Sequence, residues 1–146
     1  MIAIGCDHGG FSLKKEIIEF LKENGYEYED FGTFSEEACD YPLYAGKVAE
    51  AVQTGKCEKG IIICGTGIGV SIAANKYAGI RAALCGDCFS AKACREHNDA
   101  NVLTLGERVV GPGLAREIVK IFLETPFSGV ERHVNRVDML KALDKF

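Results

Sequence analysis

Short strand-like stretches alternate with amphipathic ones along most of the chain. Five short stretches predict β-strands, at residues 1–5, 26–31, 59–64, 80–84 and 101–105. Between them, helical spacing of apolar residues predicts helices at residues 12–24, 41–54, 69–77, 87–96 and 111–124. This regular alternation predicts an α/β fold, a five-stranded parallel sheet with helices on both of its faces.

The end of the chain departs from the alternation. After the break at Thr125-Pro126, residues 130–145 predict a last helix that has no strand of its own. Apolar residues recur in it at a spacing of three, at Val134, Val137, Leu140 and Leu143. We expect one domain over residues 1–146, with an α/β core at 1–125 and an extension at 126–146 that folds back or reaches a second subunit.

The third predicted strand leads into the most informative motif. It ends on Cys64, and Gly65, Gly67 and Gly69 follow at alternate positions before the next helix. Glycine permits left-handed backbone and close approach of a ligand, and the N–H groups at a helix start favour an anion. A thiol beside such donors suggests carbanion chemistry on a small anion, with Cys64 as base or nucleophile and Thr66 within reach of the same atoms.

Other chemistry-bearing side chains follow or flank the predicted elements. Asp7 and His8 come directly after the first strand, where parallel sheets bind ligands. His97 and Asn98 end the fourth helix, either as an acid–base site or simply as a helix terminus. The candidates for binding a phosphate, as against a solvated charged face, are Arg108, Arg132, His133 and Arg136.

Charge and cysteine content narrow the class of protein. With 17 basic and 21 acidic residues, the net charge of −4 argues against non-specific nucleic-acid binding. No stretch approaches the roughly 20 apolar residues of a membrane span, and the apolar N-terminus lacks the basic region of a signal peptide. We therefore expect a cytoplasmic protein whose seven cysteines are reduced.

Three alternative uses of these motifs remain open. The glycines could bind a dinucleotide, although their spacing differs from G-x-G-x-x-G and they follow the third strand instead of the first. Cys85, Cys88, Cys94 and His97 have a spacing similar to that of zinc ligands, although a chain of this length does not need a metal to fold. Cys85 and Cys88 could also form a redox couple.

Taken together, the motifs resemble those of ribose-5-phosphate isomerase type B, over residues 1 to about 140. The matching segments are residues 6–10 (CDHGG), 40–42 (DYP), 64–69 (CGTGIG), 72–76 (IAANK), 96–101 (EHNDAN) and 106–111 (GERVVG). The resemblance implies a three-layer, Rossmann-like domain and a homodimer or dimer of dimers. It also implies conversion of ribose 5-phosphate into ribulose 5-phosphate, in the pentose phosphate pathway, without a cofactor or metal.

The resemblance also implies a role for each matching residue. Cys64 would be the base that moves a proton between C2 and C1, because Val70 stands where one branch of the family has a glutamate. Thr66 would move a proton between the oxygens, and His97 would open the sugar ring. The hydroxyls would be held by Asp7 and Tyr41. The enediolate would be stabilised by backbone amides at Gly65, Gly67, Ile68, Gly69, Val70 and Ser71.

The remaining roles involve a second subunit. Asn98 would join the enediolate amides from the neighbouring chain. The phosphate would be held by His8, Arg108, Arg132 and Arg136, some of them from the other chain, which would give the last helix its purpose.

Two other sugar phosphates are alternative substrates, and one other class of protein is an alternative to an isomerase. The related galactose 6-phosphate isomerase acts on a different sugar, and allose 6-phosphate is a further candidate substrate. A non-catalytic nucleotide-binding or redox module would leave Cys64 without a task.

Overall fold

The computed structural model describes residues 1–144 and forms a three-layer α/β fold. The strands are β1 (Ile2–Cys6), β2 (Tyr28–Asp30), β3 (Lys59–Cys64), β4 (Ala82–Leu84) and β5 (Val102–Gly106). The helices are α1 (Phe11–Glu23), α2 (Tyr41–Gln53), α3 (Ile68–Ala74), α4 (Cys88–Asn98), α5 (Pro112–Glu124) and α6 (Glu131–Ala142). A single 3₁₀ turn, His8–Gly10, joins β1 directly to α1.

All five strands are parallel, in the order β2-β1-β3-β5-β4, so the predicted sheet is confirmed. Helices α1, α4 and α5 pack on one face, and α2 and α3 pack on the other. Since β1 leads outward to β2 while β3 leads outward to the other edge, the strand order reverses between β1 and β3. A crevice at the carboxyl ends of these two strands is the expected place for a ligand.

The edge strands are shorter than their sequence predicts. β2 and β4 have three residues each, against the predicted 26–31 and 80–84, because an edge strand has a neighbour on one side only. Helix α4 extends to Asn98, two residues beyond its predicted end. His97 and Asn98 therefore belong to the last turn of a helix that has run back along the sheet.

Helix α6 folds back onto its own subunit. His133 and Val137, four residues apart, are its buried residues, and the helix packs against α4. The other members of the predicted stripe are exposed, since Val134, Leu140 and Leu143 retain 38%, 43% and 69% of their accessible surface. Residue Lys145, the predicted end of this helix, lies outside the described residues.

Over residues 1–144, none of the helices combines the length and the apolar character needed to cross a lipid bilayer.

Candidate active site

Cys64 ends β3 with its sulfur against the turn that follows. The Gly67 amide donates a hydrogen bond to Cys64 Sγ at 3.0 Å, and only 5% of the cysteine surface is exposed. Gly67 makes this contact with a φ of +79°, a backbone conformation that residues with a Cβ rarely adopt. An amide N–H aimed at sulfur stabilises negative charge on it. The turn therefore places a backbone N–H donor directly on the sulfur of Cys64.

The glycine loop, residues 65–69, is held by side-chain hydroxyls as well as by the sulfur. Thr104 in β5 donates a hydrogen bond from its buried hydroxyl to the Gly67 carbonyl at 2.9 Å. Thr66 is exposed, and its Oγ1 accepts the Ile68 amide at 3.2 Å. Within α3, Val70 is fully buried and Ser71 donates to the Ile68 carbonyl at 2.7 Å. The Thr66 hydroxyl is thus the exposed polar group beside Cys64.

A second cysteine occupies the equivalent position on the neighbouring strand. Cys6 ends β1, is fully buried, and is bonded through its backbone to Gly32 and Thr33. Burial raises the pKa of Cys6 to about 12, which keeps its thiol protonated at neutral pH. Of the two strand-end cysteines, Cys64 is the one whose sulfur accepts an amide of the glycine loop.

Asp7 and His8 lie next to the glycine loop, as the sequence predicts. Asp7 is 8% exposed, and its Oδ1 accepts the Gly9 amide at 2.9 Å. A Cβ on Gly9 would lie 3.1 Å from the Gly65 nitrogen, so the loops that follow β1 and β3 are in contact. His8 Nδ1 accepts the backbone amide of Cys39 at 3.2 Å. Two strand-end loops thus form one site at the reversal of strand order.

Arg108 comes to the same site from the end of β5. A Cβ on Gly65 would lie 3.1–3.4 Å from three atoms of the Arg108 guanidinium, which therefore covers the glycine. The Arg108 amide donates to the Gly65 carbonyl at 3.0 Å, and the preceding Glu107 accepts the Leu13 amide at 2.6 Å. The arginine is exposed over the glycine loop, where its guanidinium is accessible to an anion.

Tyr41 closes the other side of the glycine loop from the start of α2. A Cβ on Gly69 would lie 2.7–3.0 Å from three ring carbons, so the ring lies against this glycine. Tyr41 remains 40% exposed. Its phenol is therefore available to a molecule lying over the loop.

His97 and Asn98 belong to a different cluster. A cavity of about 220 Å³ is lined by His97, Asn98, His133, Arg136, Val137 and Leu140. The rings of His97 and His133 lie 4.6 Å apart, and His133 Nδ1 is 2.6 Å from the Ser128 hydroxyl. Burial, with the nearby Arg132, His97 and Arg136, lowers the pKa of His133. Arg132 and Arg136 are both exposed on α6.

The two clusters lie at opposite ends of the strands, the first at their carboxyl ends and the second at their amino ends. Cys64 pairs with Gly106 at the carboxyl end of β5, whereas the Asn98 carbonyl accepts a hydrogen bond from Arg81, which precedes β4 at the amino end. The length of β5, about 13 Å, separates these ends. A single chain therefore brings together Cys64, Thr66, Asp7, His8, Tyr41 and Arg108, and does not bring His97, Asn98, Arg132 or Arg136 to them.

Two of the three cysteines with metal-like spacing form a buried pair. Cys85 and Cys94 have their sulfurs 3.8 Å apart, and the hydrogen bond between them raises the pKa of Cys85 and lowers that of Cys94. Within residues 1–144, no group of three or more His, Cys, Asp and Glu is arranged to hold a metal ion.

Two contacts at the site have no counterpart in the sequence pattern. The Cys39 amide reaches His8 across 31 positions, and Glu107 reaches Leu13 across 94. No spacing rule links residues so far apart, and a backbone donor has no side-chain signature. These contacts become visible only in the folded chain.

Comparison with known proteins agrees with this architecture. Residues 2–140 match the family model described as Ribose/Galactose Isomerase. Ribose-5-phosphate isomerase B of Escherichia coli is 53% identical over 99% of this chain and 96% of its own length. The solved ribose-5-phosphate isomerase B of Clostridium thermocellum is 56% identical and superimposes with a TM-score of 0.95, covering 97% of this chain and 95% of that one.

A more distant relative is named for galactose, the other sugar in the family description. Galactose-6-phosphate isomerase subunit LacB of Clostridium acetobutylicum is 38% identical over 99% of this chain and 82% of its own length. The family match covers nearly the whole chain, and it fits a site built from a strand-end cysteine and backbone N–H donors. The chain is an isomerase and belongs to the ribose/galactose isomerase family.

Proposed function

We propose that this protein interconverts D-ribose 5-phosphate and D-ribulose 5-phosphate, a reaction of the pentose phosphate pathway, through an enediolate. The observation that carries the proposal is the Gly67 amide 3.0 Å from the Cys64 sulfur, at the mouth of a loop rich in backbone donors. Its near relatives named for ribose 5-phosphate, at 53% and 56% identity, support the pentose over the hexose of the 38% relative.

The proton transfer is assigned to Cys64. As a thiolate it takes the proton from C2 of the open-chain aldose and returns it to C1, which gives the ketose. Val70 is apolar and buried, so it cannot serve as the base. The Thr66 hydroxyl, exposed beside the sulfur, moves the proton between the two oxygens of the enediolate. No change in oxidation state of the protein is involved.

Stabilisation of the negative charge that develops on the substrate oxygens is assigned to the backbone amides of residues 65–71. Donors fixed before the reaction stabilise an oxyanion more than mobile water does. The sugar hydroxyls are assigned to Asp7 and Tyr41, which flank the same loop. The phosphate is assigned to His8 and Arg108, since the guanidinium covers Gly65 and faces outward.

The cluster at the amino ends of the strands is assigned to the active site of a neighbouring subunit. His97 would open the furanose ring there, Asn98 would add an amide for the enediolate, and Arg132 and Arg136 would contact the phosphate. A homodimer, or a dimer of dimers, with two-fold symmetry would supply each site from both chains. Residues 126–146 would then be the dimer-contact extension of the core formed by residues 1–125.

Conversion of ribose 5-phosphate by the purified protein in EDTA tests the substrate. Galactose 6-phosphate and allose 6-phosphate are assayed alongside. Rapid, chelator-resistant formation of ribulose 5-phosphate is the expected result. Turnover confined to a hexose phosphate would transfer the assignment to the sister enzymes, and no turnover of any of the three would remove it.

Two variants test the roles of the proposed residues. Cys64→Ala should lower kcat by about 10²–10⁴-fold while sugar-phosphate binding changes only a few-fold, since the base is removed and the donors remain. Cys57→Ala, at a buried cysteine away from the site, is the control and should retain turnover. His97→Asn should impair the cyclic substrate more than an open-chain analogue, and equal losses would exclude a ring-opening role.

A further inference from the structure

One contact fixes the chemical form of His8. The backbone amide of Cys39 donates to His8 Nδ1 at 3.2 Å. A ring nitrogen that accepts an N–H presents its lone pair and carries no proton itself. In the neutral imidazole the proton must then be on Nε2. The hydrogen bond therefore selects one of the two tautomers.

Residues 30–33, which precede the loop that carries Cys39, are anchored by a buried charge. Lys14 in α1 is 1% exposed, and its ammonium group donates to Asp30 Oδ1 at 2.8 Å and to the Thr33 carbonyl at 2.5 Å. Asp30 Oδ1 also accepts the Gly32 amide at 2.9 Å. A buried ammonium group is costly unless its donors are satisfied, so these contacts hold the chain at residues 30–33 firmly.

The backbone of the same segment continues along β1. The Cys6 amide donates to the Gly32 carbonyl and the Thr33 amide donates to the Cys6 carbonyl, each at 2.7 Å. His8 follows Cys6 by two residues, so these bonds tie residues 32–33 and the strand that leads to His8 together, and Cys39 follows Thr33 six residues later.

We infer that the backbone amide of Cys39 is a positioning group that fixes His8 as its Nε2–H tautomer, so that His8 offers a directed N–H donor to a phosphate oxygen. The inference rests on the proposed function for the phosphate itself. Arg108 supplies positive charge over Gly65, and Gly65 is in contact with Gly9, the residue after His8. His8 adds a donor of fixed direction, which favours an acceptor oxygen over a group that must donate.

The thiol of Cys39 is not needed for this role. Its sulfur lies 3.9 Å from the same nitrogen, farther than the amide. Cys39→Ala removes the thiol and keeps the amide, whereas Cys39→Pro removes the amide proton. The two variants therefore separate the backbone donor from the side chain.

Nitrogen-15 NMR of the histidine rings, with His8→Gln to assign the His8 signals, reports the tautomer directly. The unmodified protein and Cys39→Ala should show an unprotonated Nδ1 and a protonated Nε2 in the neutral ring. Cys39→Pro should show a mixture of tautomers. Its KM for ribose 5-phosphate and its inhibition constant for inorganic phosphate should rise about 3- to 10-fold, the worth of one hydrogen bond, with kcat changed less than about twofold.

A protonated Nδ1 in the neutral ring of the unmodified protein would overturn the inference. So would an unchanged tautomer or an unchanged phosphate affinity in Cys39→Pro. If Cys39→Pro does not fold, the spectrum of the unmodified protein and its change on adding inorganic phosphate decide the question. Because this spectrum needs no turnover, loss of the proposed function through an inactive protein is distinguished from the wrong tautomer in an active one.

Discussion

Gly67 and Cys64 form the smallest unit of the site, a left-handed glycine whose amide lies 3.0 Å from a strand-end sulfur. The sulfur cannot receive this donor unless the chain reverses within three residues. The φ of +79° at Gly67 provides that reversal. The backbone of the glycine loop and the chemistry of the thiol are therefore one feature.

Gly67→Ala should damage both stability and turnover. A Cβ there would meet Leu84 Cδ1 at 2.5 Å and the Leu105 carbonyl carbon at 2.9 Å, in addition to the strained φ. We expect a loss of about 2–4 kcal/mol in the free energy of unfolding, measured in urea, and a reduced kcat. Gly25→Ala is the matched control, with a φ of +73° and open space around it. It should lose about 1 kcal/mol and keep full kcat. Equal effects of the two changes would contradict a role for the crowded turn.

Lys14→Met should destabilise the fold by leaving Asp30 without its cation. The lysine side chain is 2% exposed and that of Asp30 is 23% exposed, so water compensates only part of the loss. We expect a decrease of about 2–3 kcal/mol in the free energy of unfolding. The double variant Lys14→Met with Asp30→Asn should recover part of this, because the unpaired charge is gone. A double variant less stable than the single one would show that the charge pair is not the cause.

Glu107→Ala should weaken binding of the phosphate through Arg108. The carboxylate accepts the Leu13 amide at 2.6 Å and so ties the turn before Arg108 to the start of α1. We expect a loss of about 1 kcal/mol in stability and a KM for the sugar phosphate raised a few-fold.

Two further variants separate geometry from charge at this position. Glu107→Gln keeps an acceptor for Leu13 and should leave KM unchanged or lower, since it removes a negative charge near the anion. In an Arg108→Ala background, Glu107→Ala should no longer alter KM. An undiminished effect in that background would mean that Glu107 acts independently of the arginine.

Stability should fall in mild acid because of His133. Burial and the positive charges of Arg132, His97 and Arg136 lower the pKa of His133 in the folded protein below its unfolded value. The unfolded chain therefore binds the proton more readily, and stability is lost as pH falls through about 6.5 toward the folded pKa. The drop in melting temperature between pH 7.5 and 5.5 should be smaller in His133→Gln. An identical drop in both proteins would assign the effect to other groups.

The sequence predicts the layers of the fold and the loops that follow β1 and β3. Strand β3 and the strand-end positions of Cys64 and Asp7 are read from local patterns, which depend on residues close in the chain. The edge strand β4 and the exposed face of α6 are predicted less well, because packing partners decide them. Leu143 has the same apolar character as Val137, and only the position of α4 makes one buried and the other exposed.

The contacts that complete the site are beyond the sequence pattern. Glu107 and Cys39 act on residues 94 and 31 positions away, and the Cys39 donor is an amide that every residue but proline possesses. The resemblance places His97 among the catalytic residues. Only the path of α4 along the sheet shows that His97 lies at the opposite end of the strands from Cys64 of the same chain.

This separation across the sheet makes the proposed enzyme suitable for complementation. A Cys64→Ala chain and a His97→Asn chain would each retain the half of the site that the other has lost. Mixed dimers formed by subunit exchange would contain one intact and one doubly impaired site. A random mixture of the two impaired proteins, assayed on the cyclic substrate, should then regain about a quarter of the unmodified activity, since half of its dimers are mixed and half of the sites in those are intact. Co-expression of the Cys64→Ala and His97→Asn chains in one cell would therefore support the reaction better than either variant does alone.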